Sequence, residues 1–192
     1  MLKRVGSWVT TAVLITGLLT GCESKADRQA DELYKKGEAY FTQGKLEQAI
    51  QTYEQVLKLK ESSLVSGRLK EAEAEKKAVD LVQSFQDELG NISAHINSVS
   101  SSDEIMELLE PIRSITTELD LYETNKNTEI AGFIKELQSN PEYQLFTKDY
   151  VSGATIRPLI YEDAIIVNSK IFRVKIIVDD LRELELPKKY TT

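Results

Sequence analysis

This 192-residue sequence contains a single cysteine, Cys22, and a single histidine, His95, whose thiol and imidazole are chemically reactive groups. Enzyme sites built on such groups need partners, because a nucleophile needs a base and zinc needs several Cys, His or carboxylate ligands. A histidine-based triad, a two-histidine metal face and a zinc site therefore all lack their parts. No glycine-rich phosphate loop is present either. The sequence predicts no catalytic, cofactor-binding or metal-binding residue, and His95 is expected to be structural.

Carboxylates are the most numerous remaining reactive groups, with 31 Asp and Glu against 24 Lys and Arg and a net charge of −7. Glu71, Glu73 and Glu75 lie in one charged stretch, which is most simply a solvated helix face. A carboxylate pair assembled by the fold would allow acid–base chemistry, so a cell-wall hydrolase stays open as a minor alternative. Because an acidic chain repels phosphate groups, we expect no nucleic-acid partner.

The residues before Cys22 have the pattern of an export signal. Lys3 and Arg4 precede an uncharged, mainly apolar run over residues 5–19, and small residues follow it. That run is shorter than the roughly 20 residues that span a membrane. A single exported thiol has no partner for an internal disulfide, which raises the question of what Cys22 is for.

The tetrapeptide Leu19-Thr20-Gly21-Cys22 resembles the lipobox of bacterial lipoproteins. The resemblance implies that residues 1–21 are a cleaved signal peptide. It also implies that Cys22 receives a diacylglycerol and that acyl chains such as palmitate anchor the protein in a membrane. The expected location is the extracytoplasmic face of the cell membrane. Residues 22–29 are polar and predict a short tether.

Residues 30–63 predict a helical hairpin in which small and aromatic residues alternate at fixed spacing. Small residues let two helices approach closely, and aromatic rings fill the adjacent space. This 34-residue pattern resembles the tetratricopeptide repeat, although Leu33 replaces the usual tryptophan and Glu61 stands where proline is common. The positions that carry the resemblance are Gly37, Tyr40, Gly44, Ala49, Tyr53, Val56 and Leu57.

Only one repeat is expected, because the signature does not recur 34 residues later. A lone hairpin cannot bury its own apolar face, so it must pack on the rest of the chain or on another protein. Tetratricopeptide modules generally bind proteins, and the resemblance therefore implies a protein partner. Tyr34, Gln43 and Gln51 are possible contacts with that partner, and the acidic stretch around Glu71 is another.

Residues 64–192 show heptad-like apolar spacing, which is typical of packed helices. We predict that the first helix continues through Gly90-Asn91, that Ser101 and Glu104 form a capping box, and that Pro111 kinks the next helix. The apolar seams are Val82, Phe85, Leu89, Ile92, Ile96, Val99; Ile105, Leu108, Ile112, Ile115, Leu119; Ile130, Phe133, Ile134, Leu137; and Ile160, Ala164, Val167, Ile171, Val174, Val178, Leu181.

The predicted fold is all-α: a tetratricopeptide-like hairpin followed by long helices packed as an antiparallel bundle. The alternative is an α+β fold with a C-terminal β-hairpin that turns at Asn168-Ser169-Lys170, because residues 172–178 alternate as in a strand and the segment is rich in β-branched residues. Helix is favoured, since three segments share one period. The expected function is a lipid-anchored interaction or scaffold protein and not an enzyme. The alternative is a sensory helical bundle that binds a small molecule or lipid.

Overall fold

The computed structural model describes residues 25–122, 128–151 and 164–191, and all regular structure in these ranges is helical. The predicted all-α class is confirmed, while Cys22 lies outside the described residues. A π-helical turn at Phe146–Val151 continues α6, and short 3₁₀ turns lie at Ile96–Ser98 and Lys188–Tyr190. The α-helices are α1 Lys25–Thr42, α2 Leu46–Leu59, α3 Ser63–His95, α4 Ser102–Asp120, α5 Glu129–Ser139, α6 Pro141–Leu145 and α7 Ala164–Arg182.

Helices α1 and α2 form the predicted hairpin. Gly37 is buried against the Tyr53 ring, and a Cβ built on it would lie 2.7 Å from Tyr53 Cε1. Ala49 is fully buried in the same cluster, and Gly44 turns the chain with φ +74°. Helix α1 begins at Lys25 rather than at residue 30, so residues 25–29, assigned above to the tether, are helical.

Helix α3 is the longest element and connects the two parts of the molecule. Its 33 residues span about 50 Å at 1.5 Å per residue. The helix passes through Gly90-Asn91 without a break, as predicted. Its first half contributes Val65 and Ala72 to the hairpin cluster, and its second half contributes Phe85 and other residues to a larger core. The hairpin and the bundle therefore share one continuous helix.

Helices α4 and α7 pack antiparallel to α3. Lys77 near the middle of α3 pairs with Glu118 near the end of α4, at 2.7 Å. Ser93 donates to Asp179 at 2.8 Å, while Gln86, earlier on α3, donates to the carbonyl of Leu184, later in the chain. The residues buried at the centre of this bundle include Val82, Phe85, Leu89, Ile92, Ile96, Ile105, Leu109, Ile112, Leu119, Ile134, Val174 and Val178.

The seam of α4 differs in part from the prediction. Leu108 and Ile115 are only partly buried, whereas Leu109 and Thr116 are buried in their place. Thr116 satisfies its hydroxyl with the carbonyl of Ile112. Both seams share Ile105, Ile112 and Leu119 and the same mean spacing, so the period was right. The helix is rotated about its axis so that the flank at residues 109 and 116, and not the flank at 108 and 115, faces the core.

The start of α4 confirms the capping box in modified form. Ser101 Oγ accepts from the backbone N–H of Glu104 at 3.2 Å. The Glu104 carboxylate reaches back to the backbone N–H of Ser100 at 2.7 Å, one residue before the cap itself. Helix α4 continues as one element through Pro111.

The β-hairpin alternative is wrong, because residues 164–182 form the helix α7. Val174 and Val178 are buried, whereas Phe172 and Ile176 are 64% and 46% exposed. Residues four apart share a helix face, and this spacing accounts for the alternation that resembled a strand. Ile160 lies outside the described residues.

Candidate protein-interaction site

An ion-pair network joins the hairpin to α3. Arg68 on α3 binds the Glu38 carboxylate with two nitrogens, Nε at 2.7 Å and Nη2 at 2.8 Å. Its third nitrogen, Nη1, binds Glu71 at 2.8 Å. The Tyr53 hydroxyl donates to Glu38 at 2.5 Å. The forked guanidinium makes a bidentate contact, which gives the link between α1 and α3 a defined geometry.

The charges in this network stabilise one another. Burial by itself would raise the pKa of Glu38, but hydrogen bonds from Arg68 and Tyr53 outweigh it and lower that pKa. Burial and the bond to Glu38 raise the pKa of Tyr53, so its hydroxyl remains a donor. The side chains of Glu38, Arg68 and Glu71 retain 34%, 23% and 23% exposure. The network therefore also presents charge at the surface, beside Tyr34, which lies one turn before Glu38 on α1.

Phe41 lies one turn after Glu38 and contacts two cations. The Arg68 guanidinium carbon is 4.5 Å from the ring centroid, and Lys189 Nζ is 5.3 Å from it. Each cation is within the distance at which the negative face of an aromatic ring attracts positive charge. Lys189 belongs to residues 184–191, which follow α7 and are called the C-terminal segment below. Phe41 therefore connects the C-terminal segment to the hairpin.

Glu75 anchors the same C-terminal segment, and this corrects its assignment to a solvated face. Glu75 is only 4% exposed, whereas Glu73 is exposed. Lys189 Nζ lies 3.2 Å from Glu75 Oε1, and the Tyr190 hydroxyl donates to the same oxygen. The bond to Glu75 and burial raise the pKa of Tyr190, with burial the larger cause. Sequence pattern gave no sign of this, since the two partners lie 114 and 115 residues away.

The predicted partner contacts lie in different surroundings. Tyr34 is partly buried, with its ring centroid 6.1 Å from that of Tyr53. Gln43, near the turn, and Gln51, on α2, are both exposed. His95 is exposed in the last turn of α3, where its Nδ1 lies 2.9 Å from the carbonyl of Asn91. The three contact residues remain predictions.

Sequence reasoning missed Glu38, Arg68 and Phe41 as members of this site. A partial signal was available for two of them, because Tyr34, Glu38 and Phe41 are spaced by four and three residues and so share one face of α1. Arg68 and Glu71 are likewise three apart on α3. The pairing between the two helices depends on how the hairpin packs on α3, and spacing within one helix does not reveal that.

Comparison with known proteins identifies the hairpin but not the remainder of the chain. The model of the tetratricopeptide repeat family matches residues 30–63, the same boundaries that the sequence predicted. No curated protein and no solved structure matches the chain. Tetratricopeptide repeats mediate protein–protein interactions, so the repeat supports an interaction or scaffold role for this protein.

Within residues 25–122, 128–151 and 164–191, no three His, Cys, Asp or Glu side chains are grouped to hold a metal ion. In the same ranges, no helix is both long enough and apolar enough to cross a membrane.

Proposed function

We propose that this protein is a lipid-anchored scaffold or interaction protein of a bacterial cell envelope and binds a protein partner through its repeat. The observation that carries the proposal is the matched repeat at residues 30–63. Its α1 face continues onto α3 through the partly exposed Glu38–Arg68–Glu71 network. A lone repeat needs a packing partner, and α3 supplies one in cis. We call the surface formed by Tyr34, Glu38 and Phe41 of α1 and by Arg68 and Glu71 of α3 the α1–α3 face. Its outer part is then available for a second protein.

The α1–α3 face suits recognition of a polypeptide segment. It combines fixed charges of both signs with the rings of Tyr34 and Phe41, and the charges are held by hydrogen bonds before a partner arrives. Preorganised groups lose less conformational entropy on binding than mobile ones. Aromatic and arginine side chains also dominate the affinity of many protein interfaces.

The anchoring part of the proposal rests on the N-terminal sequence, in which a short apolar run ends at Leu19-Thr20-Gly21-Cys22. Helix α1 begins only three residues after Cys22. A chain extends by at most about 3.6 Å per residue, so a lipid on Cys22 would hold the hairpin within roughly 11 Å of the attachment point. The partner would then be met at the membrane surface.

Replacing Cys22 by serine tests the anchor. We expect the variant to lose acyl label and to leave the membrane fraction, because the hydroxyl of serine does not accept the thioether-linked lipid. Cells labelled with a fatty-acid analogue and then fractionated provide the measurement. A variant that keeps wild-type label and membrane retention would refute lipid attachment at this residue, and the interaction function would then have to be placed elsewhere.

Photo-crosslinking tests the interaction. A photoreactive phenylalanine analogue is placed at Tyr34 on the α1–α3 face, at exposed Gln51 on α2, and at exposed Ala94 near the end of α3 as the matched control. We expect a discrete protein adduct in intact cells from position 34 and none from position 94. An adduct from position 51 alone would move the interface to the outer face of α2. Equal adducts at all three positions, or none, would contradict a specific interface.

A further inference from the structure

The C-terminal segment Leu184–Thr191 lies on the molecule as a bound peptide lies on its receptor. It carries only a short 3₁₀ turn, and two side chains anchor it in the main hydrophobic core, Leu186 at 8% and Tyr190 at 5% exposure. Residues between these anchors are exposed or partly buried. Two buried side chains separated by three exposed or partly buried positions are compatible with an extended ligand that is held at a few side chains.

The receptor under this segment has a defined chemistry. The Glu75 carboxylate takes both the ammonium of Lys189 and the hydroxyl of Tyr190, and Phe41 offers its ring to the same ammonium. Gly44 lets the backbone of Lys189 approach, since a Cβ there would overlap the Lys189 carbonyl oxygen. The carboxylate of Glu75, the ring of Phe41 and the glycine backbone at residue 44 together favour a basic residue that is followed directly by tyrosine.

The segment fills this receptor incompletely. The second oxygen of Glu75, Oε2, is buried, and no hydrogen-bond donor among the described residues reaches it. Open grooves of about 730 and 510 Å³ adjoin the segment, one beside Leu184, Leu186 and Lys188, and the other beside Gly44 and Tyr190. An unsatisfied buried carboxylate oxygen carries a free-energy penalty. A ligand that donates one further hydrogen bond would therefore fit better than the segment itself.

We propose that the Phe41–Gly44–Glu75 site is a receptor for an extended peptide segment carrying a basic residue followed by tyrosine, and that residues 184–191 occupy it in cis until such a partner segment displaces them. The proposal rests on the interaction function proposed above and names its partner chemistry. A tethered segment competes at a high effective concentration, so the free receptor is available only for a fraction of the time. The tail would thereby set the affinity threshold for the partner.

A cleavable version of the full chain tests this proposal. A protease recognition sequence is inserted at exposed Glu183, between α7 and the segment, and the folded protein is cut after purification. The probe is a fluorescent peptide with the sequence of residues 184–192, and anisotropy reports its binding. We expect the cut protein to take up the probe at least tenfold more tightly than the uncut protein, because cutting removes the tethered competitor.

Matched variants test the chemistry of the site. In the cut protein, Glu75→Gln is expected to weaken probe binding by roughly tenfold or more, because charge-assisted hydrogen bonds are lost. Glu73→Gln, on an exposed neighbour, should leave it unchanged. A probe with the changes K189A and Y190F should bind as weakly as the Glu75→Gln protein binds the unchanged probe.

Three outcomes would overturn the proposal. If the cut protein unfolds, or keeps its own segment against excess probe, residues 184–191 are part of the core and not a ligand. If uncut protein exchanges segments between copies and dimerises, the occupant is a second copy. If Glu75→Gln binds the probe as tightly as the parent, the assigned chemistry is wrong. These readouts are independent of partner crosslinking in cells, so failure of the interaction function and failure of the receptor are distinguishable.

Discussion

Replacing Gly44 by alanine is expected to lower the free energy of unfolding by about 2–5 kcal/mol. Gly44 has φ +74°, where a residue with a Cβ is disfavoured by about 1–2 kcal/mol. The added Cβ would also lie 2.9 Å from Lys189 Cγ and 3.1 Å from its carbonyl carbon, besides overlapping the carbonyl oxygen. Overpacking of this kind adds about 1–3 kcal/mol. Urea unfolding followed by circular dichroism provides the measurement.

Gly67→Ala is the matched control for this experiment. Gly67 lies inside α3, and a Cβ built on it meets no atom within 4 Å. Alanine is the better helix former by roughly 0.5–1 kcal/mol, so this variant should be more stable than the parent. The same chemical change should thus have opposite signs at the two positions. If Gly44→Ala costs only the roughly 1–2 kcal/mol expected from its positive φ, the contact between the turn and residue 189 is not formed in solution.

Replacing Ala49 by leucine should be the next largest change, with a loss of about 1–3 kcal/mol. Ala49 is fully buried in the hairpin cluster that also contains Ala30 and Tyr53. A leucine there has no space unless the two helices separate. Separation would also weaken the hydrogen bond between Tyr53 and Glu38. Urea melts at constant pH measure the change in stability.

Gln51→Leu supplies the control for Ala49→Leu, because it adds the same side chain to the same helix at an exposed position. Helix propensity changes little in either substitution. We expect Gln51→Leu to alter the free energy of unfolding by less than about 0.5 kcal/mol. Equal stability of both variants would show that the hairpin does not pack closely at residue 49.

The hairpin was predictable from sequence because its determinants are local. Gly37, Ala49 and Tyr53 lie within 17 positions of one another, and small or aromatic residues at these spacings leave few ways to cross two helices. The path of α3 through Gly90-Asn91 was predictable for a related reason. Ile92 and Leu89 continue the buried seam on both sides, and both are fully buried. Packing of that seam outweighs the weak helix propensity of glycine.

The features that the sequence did not predict correctly all depend on packing between residues far apart in the chain. Glu75 lies in a charged stretch that is otherwise solvent-facing, and only contact with Lys189 and Tyr190 buries it. Residues 172–178 suggested a strand because apolar residues alternate there with Arg173 and Lys175, but the segment is helical and its buried face packs on α3. Burial imposed by a distant segment leaves no periodic trace in the local sequence. The Glu38–Arg68 pair was missed for the same reason, since its members lie 30 residues apart.

The bond between Tyr190 and Glu75 has a consequence for how the molecule assembles. The hairpin, α3 and α4 are adjacent in the chain and can form through contacts of low sequence separation, which fold fast. The hydrogen bond between Tyr190 and Glu75 joins residues 115 positions apart, so it closes a long loop and forms more slowly than the local contacts. Synthesis delivers the chain from its N-terminus, so the turn at Gly44 stays uncovered until residues 189 and 190 have emerged. The contact between Gly44 and Lys189 is therefore among the last contacts of the hairpin to form, although the hairpin is encoded first.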